Sequence, residues 1–398
     1  MRRILSFIGK MMCIGLIAIT VACSSEYTGT QALNLQIKIL LPEGFSGNGN
    51  VGQRVSLTTN GKEIFAVTDD QGVATFEGLI PDIYDITTSW EITPEQYTEM
   101  TGIEVQNENY TLSGNLMNQI IVSEDPIQVK TIASVKQSLV ISKIYYAGSK
   151  DVNNKNYLAG RYVEFYNNSD QVVDIAGLYF GLLESDSSPA YMIGTTPDYL
   201  YLKQIFRFPE IGRTSLQPGE TVVVANSAID HTENGLLEKN LTSADFEAKQ
   251  SNMINNPVVP AMELVYTSFT TITSMNLIQG GPCSIVLFKT TENIDSWERV
   301  HKQGSSTGSL YVKMPVKYVM DGVECLKYSA TGVNVTNKRL YDYIDAGFIN
   351  ILATSGYNGQ VVYRKIDRIE NGRNVLTDTN NASNDFAVSD DINIREYK

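Results

Sequence analysis

The sequence predicts an all-β protein of two β-sandwich domains, the second carrying long insertions and a short helix. Three observations predict it. Short extended segments in which apolar and polar residues alternate with period two recur from Leu33 to the end of the chain. Clusters of Gly, Asn, Asp and Pro punctuate them at turn-like intervals. Twenty-two tyrosines and 42% hydrophobic residues supply strand-forming, core-forming material, while 19% charged residues is too few for a disordered chain. A length of 398 residues suits two or three domains.

Residues 1–22 read as a lipoprotein signal peptide. A basic start, with Arg2, Arg3 and Lys10, precedes the apolar run from Met11 to Ala22, which is too short to span a bilayer. Thr20-Val21-Ala22-Cys23 resembles a bacterial lipobox, with Thr20 where Leu is usual, and makes Cys23 the expected lipidation site. The competing readings are ordinary cleavage before an unmodified cysteine and an uncleaved anchor. Residues 23–32 are small and polar, a tether.

Residues 33–136 read as a small β-sandwich. Leu33 to Leu41 alternates as a strand, Val51 to Thr59 is a second, and Ile64 to Thr68 leads into the turn Asp69-Asp70-Gln71-Gly72. Gly72 is expected at positive φ, Phe76 and Tyr84 in the core, and Pro81-Asp82 in a second turn. The strand set ends near Val122, and the following stretch to Gln137 reads as a linker.

Residues 137–398 form the second domain, opened by the strand Ser138 to Ala147. Arg161 to Phe180 (RYVEFYNNSDQVVDIAGLYF) reads as a β-hairpin, with Tyr162, Glu164 and Tyr166 on one face, turned by Asn167-Asn168-Ser169-Asp170. The insertion Glu184 to Arg213 is rich in aromatic and apolar residues (Tyr191, Met192, Tyr199, Tyr201, Ile205, Phe206, Phe208), which either pack on the sandwich or line a contact surface. In the next insertion Leu241 to Met253 is the helix candidate, with Thr242 and Ser243 available as caps. Asp321-Gly322 and Asn371-Gly372 read as hairpin turns.

The stretch YVEFYNNSDQVVDIAGLYF resembles the signature of lamin-tail type immunoglobulin-like domains, as do Leu216 to Asn226 and Arg364 to Phe386. Val73 to Ile86 with the preceding turn resembles transthyretin-like and collagen-adhesin B-type sandwiches. The chain as a whole resembles an uncharacterised family of lipoproteins of about 400 residues from Bacteroides-type bacteria. The resemblance implies two sandwiches at a membrane and transfers no catalytic residue. Glu164, an acid such strands carry, reads as a structural hydrogen-bonding group.

The net charge of −13 becomes −16 without Arg2, Arg3 and Lys10, which argues against nucleic acid as a partner. His231 and His301 are the only histidines, too few for a histidine metal site. Cys283 and Cys325 either pair as a disulfide or are two separately buried thiols. Asp378, Asn380, Asn384 and Asp385 are the densest oxygen donors and form the candidate calcium site; the competing reading, which the resemblance favours, is loop-closing backbone hydrogen bonds. No other cofactor is expected. No nucleophile elbow or zinc-protease motif is present. The function expected is that of a non-enzymatic lipoprotein held at the outer membrane by its N-terminal lipid, periplasmic or surface-facing. It would bind an extracellular ligand or assist an outer-membrane β-barrel protein. The alternative is a cell-surface hydrolase working with acidic residues alone.

Overall fold

In the computed structural model residues 31–398 are described, apart from 106–108, 186–197, 236 and 303. The signal peptide, Cys23 and the tether up to residue 30, and Tyr191 and Met192, lie outside the described residues.

The first domain is two sheets face to face. Strand Leu33–Leu40 buries every second residue, Leu35, Ile37 and Ile39, and is the middle of a three-stranded sheet between Val73–Leu79 and Ile127–Lys130. The opposing sheet has the order Lys62–Val67, Arg54–Thr59, Asp82–Ile92, Tyr110–Ile121, Ile132–Val135. Between them lie Val55, Leu57, Phe76, Tyr84, Ile86 and Val129. The Asp69 carboxylate accepts the N–H groups of Gln71 and Val73, and Gly72 has φ 71°, so these acids serve the turn. The expected linker is instead two strands. Val129 is buried in the first sheet, and Thr131 directs both its N–H and its hydroxyl to Leu40 O where the chain passes to the second. A helix at Pro94–Thr101 joins the long strands. Its start carries a capping box, Thr93 with Gln96, and Gly102 ends it at φ 74°.

No strand ladder joins the elements before Val135 to those after Leu139. In the second domain a six-stranded sheet runs Phe246–Glu247, Thr221–Ala225, Tyr162–Asn167, Leu139–Tyr145, Val361–Arg364, Phe386–Ser389. The facing sheet runs Arg299–His301, Leu310–Pro315, Tyr199–Arg207, Tyr179–Leu183, Ile285–Phe288, Val319–Val323, with Glu263–Thr267 also paired to Tyr199–Arg207. Val163, Phe165, Phe180, Phe206, Val222 and Leu287 fill the space between. Leu200, Leu202, Val286, Phe288 and Trp297 pack on the far side of the second sheet. Both faces of that sheet are therefore covered, which is why its strands read as continuous apolar runs.

Three expectations change here, and one open alternative closes. Tyr162–Asn167 does not form a hairpin with the segment after it; it pairs with Leu139–Tyr145 and Thr221–Ala225, while Val173–Asp174 pairs with Ser215–Leu216 in a separate ribbon. Asn167 donates to Gln171 O and Leu216 O, and the Asn168 side chain bonds both N–H and C=O of Leu376, so the polar turn redirects the chain toward the other sheet. Of the two readings of the aromatic insertion, its described part takes the packing one: Tyr199–Arg207 is a nine-residue strand inside the second sheet. Asp321-Gly322 is not a turn but the middle of Val319–Val323; a Cβ on Gly322 would stand 2.7 Å from Ile344 Cγ2, so that glycine serves packing. Leu241 to Met253 holds the short strand Phe246–Glu247 and a 3-10 turn, Ser251–Met253, rather than an α-helix. The Glu247 carboxylate accepts the N–H groups of Ala228, Asn255 and Asn256, fixing an extended course. Asn371-Gly372 is the hairpin turn expected, both residues at positive φ.

Candidate functional site

The acids singled out near the C-terminus surround a cation, and that cation belongs to the chain. The Arg364 side chain is buried, donates to Ile141 O and Thr377 O, and lies 2.9 Å from Asp321, 3.0 Å from Asp378 and 3.3 Å from Asp385. Asp385 also accepts from the N–H and hydroxyl of Thr379. Asn380 donates to Ser134 Oγ across the domain junction, and the Asn384 N–H donates to Asn381 O in the short helix Ala382–Asp385. In this arrangement a guanidinium lies between the acids, and the asparagines make loop-closing hydrogen bonds. Among the described residues no group of three His, Cys, Asp or Glu is arranged to hold a metal. Burial pushes the Asp321 and Asp385 carboxyls up to about 7 against the opposing pull of Arg364.

A second buried centre sits on the signature strand. Lys143 Nζ lies 3.0 Å from Glu164 and donates to Asn393 O. Glu164 accepts from Arg395 N–H and from the Tyr397 hydroxyl. Burial lowers the Lys143 pKa and raises that of Glu164, each opposed by the other's charge. Glu164 is accordingly a hydrogen-bonding anchor for the last residues of the chain. His231 is equally committed: Nε2 donates to Ser227 O, leaving Nδ1 to accept from Tyr157 Oη.

Cys283 and Cys325 are free, buried thiols on adjoining segments, joined by the bond from Cys283 N–H to Cys325 O. No disulfide links them. Burial raises both thiol pKa values, which keeps the reactive thiolate scarce. Both are expected to resist alkylation in the folded protein and to react fully in denaturant. A disulfide-linked peptide pair in non-reducing mass analysis would contradict this.

On the surface, Arg213, Arg373 and Arg395 converge on a groove of about 490 Å³ floored by Tyr166 and Tyr397. Glu220 is the only carboxylate in its lining. Arg213 is held 2.6 Å from Glu220, Asp245 braces Arg395 at 2.7 Å, and Arg373 donates to Asn168 O. Gly219, at φ 80°, places its missing Cβ 3.1 Å from Arg373 Cβ and 3.4 Å from Tyr166 Oη, so a side chain there would crowd the groove. A second crevice of about 500 Å³ at the domain junction mixes Lys136, Arg368 and Arg373 with Glu91, Asp170 and Glu370. Its lining sets three cations against three acids, whereas the first groove sets three arginines against Glu220, with Asp245 behind Arg213 and Arg395, so the first groove is the better candidate. Sequence reading missed it: its arginines come from a loop, a hairpin and the last turn, and no motif ties together stretches so far apart.

The fold defines an all-β sandwich protein with a short helix. Residues 132–301 match the Lamin Tail Domain, and residues 217–391 match a family described as protein of unknown function (DUF4876). Among solved structures, a DUF4876 family protein from Bacteroides thetaiotaomicron VPI-5482 is similar at 22% identity and a TM-score of 0.56, covering 89% of this chain and 94% of that one. At that identity the likeness speaks for the fold. No curated protein matches. The resemblance to a lamin-tail domain and to a Bacteroides family of unknown function is supported.

Proposed function

We propose that the protein is a lipid-anchored, non-enzymatic binding protein of the outer membrane, whose second domain captures an anionic group of an extracellular ligand or of an outer-membrane partner. The observation that carries the reading is the convergence of three arginines on one groove of a chain with net charge −13. A field of that overall sign repels anions, so a local guanidinium cluster is a specific feature rather than a general one. Anchoring rests on Cys23 and its lipobox; among the described residues no helix is long and apolar enough to cross a membrane. The hydrolase alternative needs two carboxylates facing a solvent-filled cleft. Asp321, Asp378 and Asp385 ring Arg364 out of solvent, and the carboxylates of the junction crevice, Glu91, Asp170 and Glu370, share it with Lys136, Arg368 and Arg373.

Two measurements test the reading. Membrane fractions of wild type and Cys23→Ala are compared, with acylation at Cys23 read by mass; a wild type without lipid removes the anchor. Binding to dextran sulfate, with neutral dextran as control, is expected to weaken at least tenfold in the Arg373→Gln/Arg395→Gln double variant and to fall with salt. Equal binding by wild type and variant would refute the groove.

A further inference from the structure

Four β-branched side chains crowd the end of the first domain that lies away from the second. Ile80 is 64% exposed, Ile83 51%, Ile120 74% and Val122 67%. Ile83 and Ile120 are cross-strand partners, Val122 follows two residues on, and Ile80 stands in the adjoining turn, where its carbonyl accepts the Tyr84 hydroxyl. Single exposed apolar residues are ordinary on a folded surface; a contiguous group at one tip calls for a partner.

The place where the chain enters the fold identifies that partner. Leu33 pairs with Leu79, next to Ile80, and Asn34 N–H donates to Glu124 just beyond Val122, so the first strand begins at this tip. The other end meets the second domain. Strand Asp82–Ile92 runs from the tip to its partner Tyr110, a span of about 35 Å. There Tyr110 pairs with Val135, and Ser134 receives the bond from Asn380. Nine residues separate Cys23 from Leu33, a reach of about 35 Å at full extension. A lipid on Cys23 therefore brings the apolar tip to the bilayer first, and the far end reaches it only with the tether stretched back along the domain.

We infer that Ile80, Ile83, Ile120 and Val122 seat in the interface of the bilayer that holds the acylated Cys23, making the first domain an upright spacer that presents the second away from the lipid. The inference rests on the lipid-anchor reading. A second copy is the poorer occupant, because Asp82, Asp85, Glu124 and Asp125 flank the patch and pairing two tips would bring those acids together. The same acids make zwitterionic headgroups a better match than anionic ones.

The test uses the full-length lipoprotein reconstituted into phosphatidylcholine/phosphatidylethanolamine vesicles containing brominated lipid. With the emission of wild type, from Trp90 and Trp297, subtracted, Ile120→Trp is expected to be quenched at least twofold more than Val152→Trp, which replaces an exposed residue of the second domain, and to lose that excess when phosphatidylglycerol is added. Equal, weak quenching at both positions, with lipid on Cys23 verified by mass, overturns the seating while leaving the anchor intact. Absence of lipid on Cys23 overturns both. A blue shift of Ile120→Trp that rises with protein concentration without vesicles would assign the tip to a second copy and likewise overturn the inference.

Discussion

Arg364→Ala is expected to lose about 3–5 kcal/mol of stability at pH 8, the usual cost of removing one partner from a buried ion pair. Such a loss takes a large share of the roughly 5–15 kcal/mol by which a typical domain is stable. The substitution leaves three carboxylates inside the sandwich with their cation gone, and it strips hydrogen bonds from Ile141 O and Thr377 O. Arg364→Lys recovers little, because an ammonium cannot span the fork that reaches Asp321 on one arm and Asp378 and Asp385 on the other. Acid sharpens the test. Asp321 and Asp385, with pKa values pushed up to about 7, hold protons in the folded chain that the unfolded chain releases near pH 4. Their contribution to stability is complete below about pH 4 and is lost as pH rises through about 7. Wild type is therefore expected to melt higher at pH 5.5 than at pH 8. The deficit of Arg364→Ala shrinks on the acid side, where the stranded carboxylates take up protons. Thermal unfolding of both proteins at the two pH values checks this, and a deficit that is small or independent of pH would remove Arg364 from the centre of the fold.

Arg364 also marks where sequence reading stops. Strands in the first domain were legible because one face of each is buried, so Leu35, Ile37 and Ile39 alternate cleanly with polar neighbours. The helix Pro94–Thr101 went unread, because apolar periodicity passes over it and its signals are the Thr-Pro-Glu-Gln capping box and Gly102. Pairing in the second domain was not. A sheet buried on both faces has no alternation to set its register, and the partners of Tyr162–Asn167 lie before and after it in the chain rather than across its polar turn. Asp321-Gly322 misled for a related reason: the dipeptide is a turn signal in solvent, and here the acid is neutralised by a residue 43 positions away. Of the oxygen-rich stretch Asp378 to Asp385, the two aspartates face a guanidinium, and a sequence does not announce that this cation is a side chain from the strand Val361–Arg364. The arginine groove follows the same logic, because Arg213, Arg373 and Arg395 acquire joint meaning only once the last residues dock beside the Gly219 turn.

That docking depends on the Lys143–Glu164 centre, and Glu164→Ala is the second large effect. The variant leaves the Lys143 charge buried with Asn393 O as its remaining acceptor and removes the carboxylate that receives Arg395 N–H and the Tyr397 hydroxyl. A loss of about 3–5 kcal/mol is expected. The Lys143→Met/Glu164→Leu pair distinguishes a charge effect from a packing effect. Replacing both ions by apolar side chains of similar volume takes away the desolvation cost together with the attraction, so the double variant should stand well above Glu164→Ala in a denaturant titration. Groove binding should separate from stability in the same proteins. Even where the double variant folds, the last residues no longer have the carboxylate that positions Arg395 and Tyr397, so dextran sulfate binding stays weak while the melting point recovers. A double variant as unstable as the single one, or one that binds as wild type does, would show that the buried pair neither holds the chain's end nor shapes the groove.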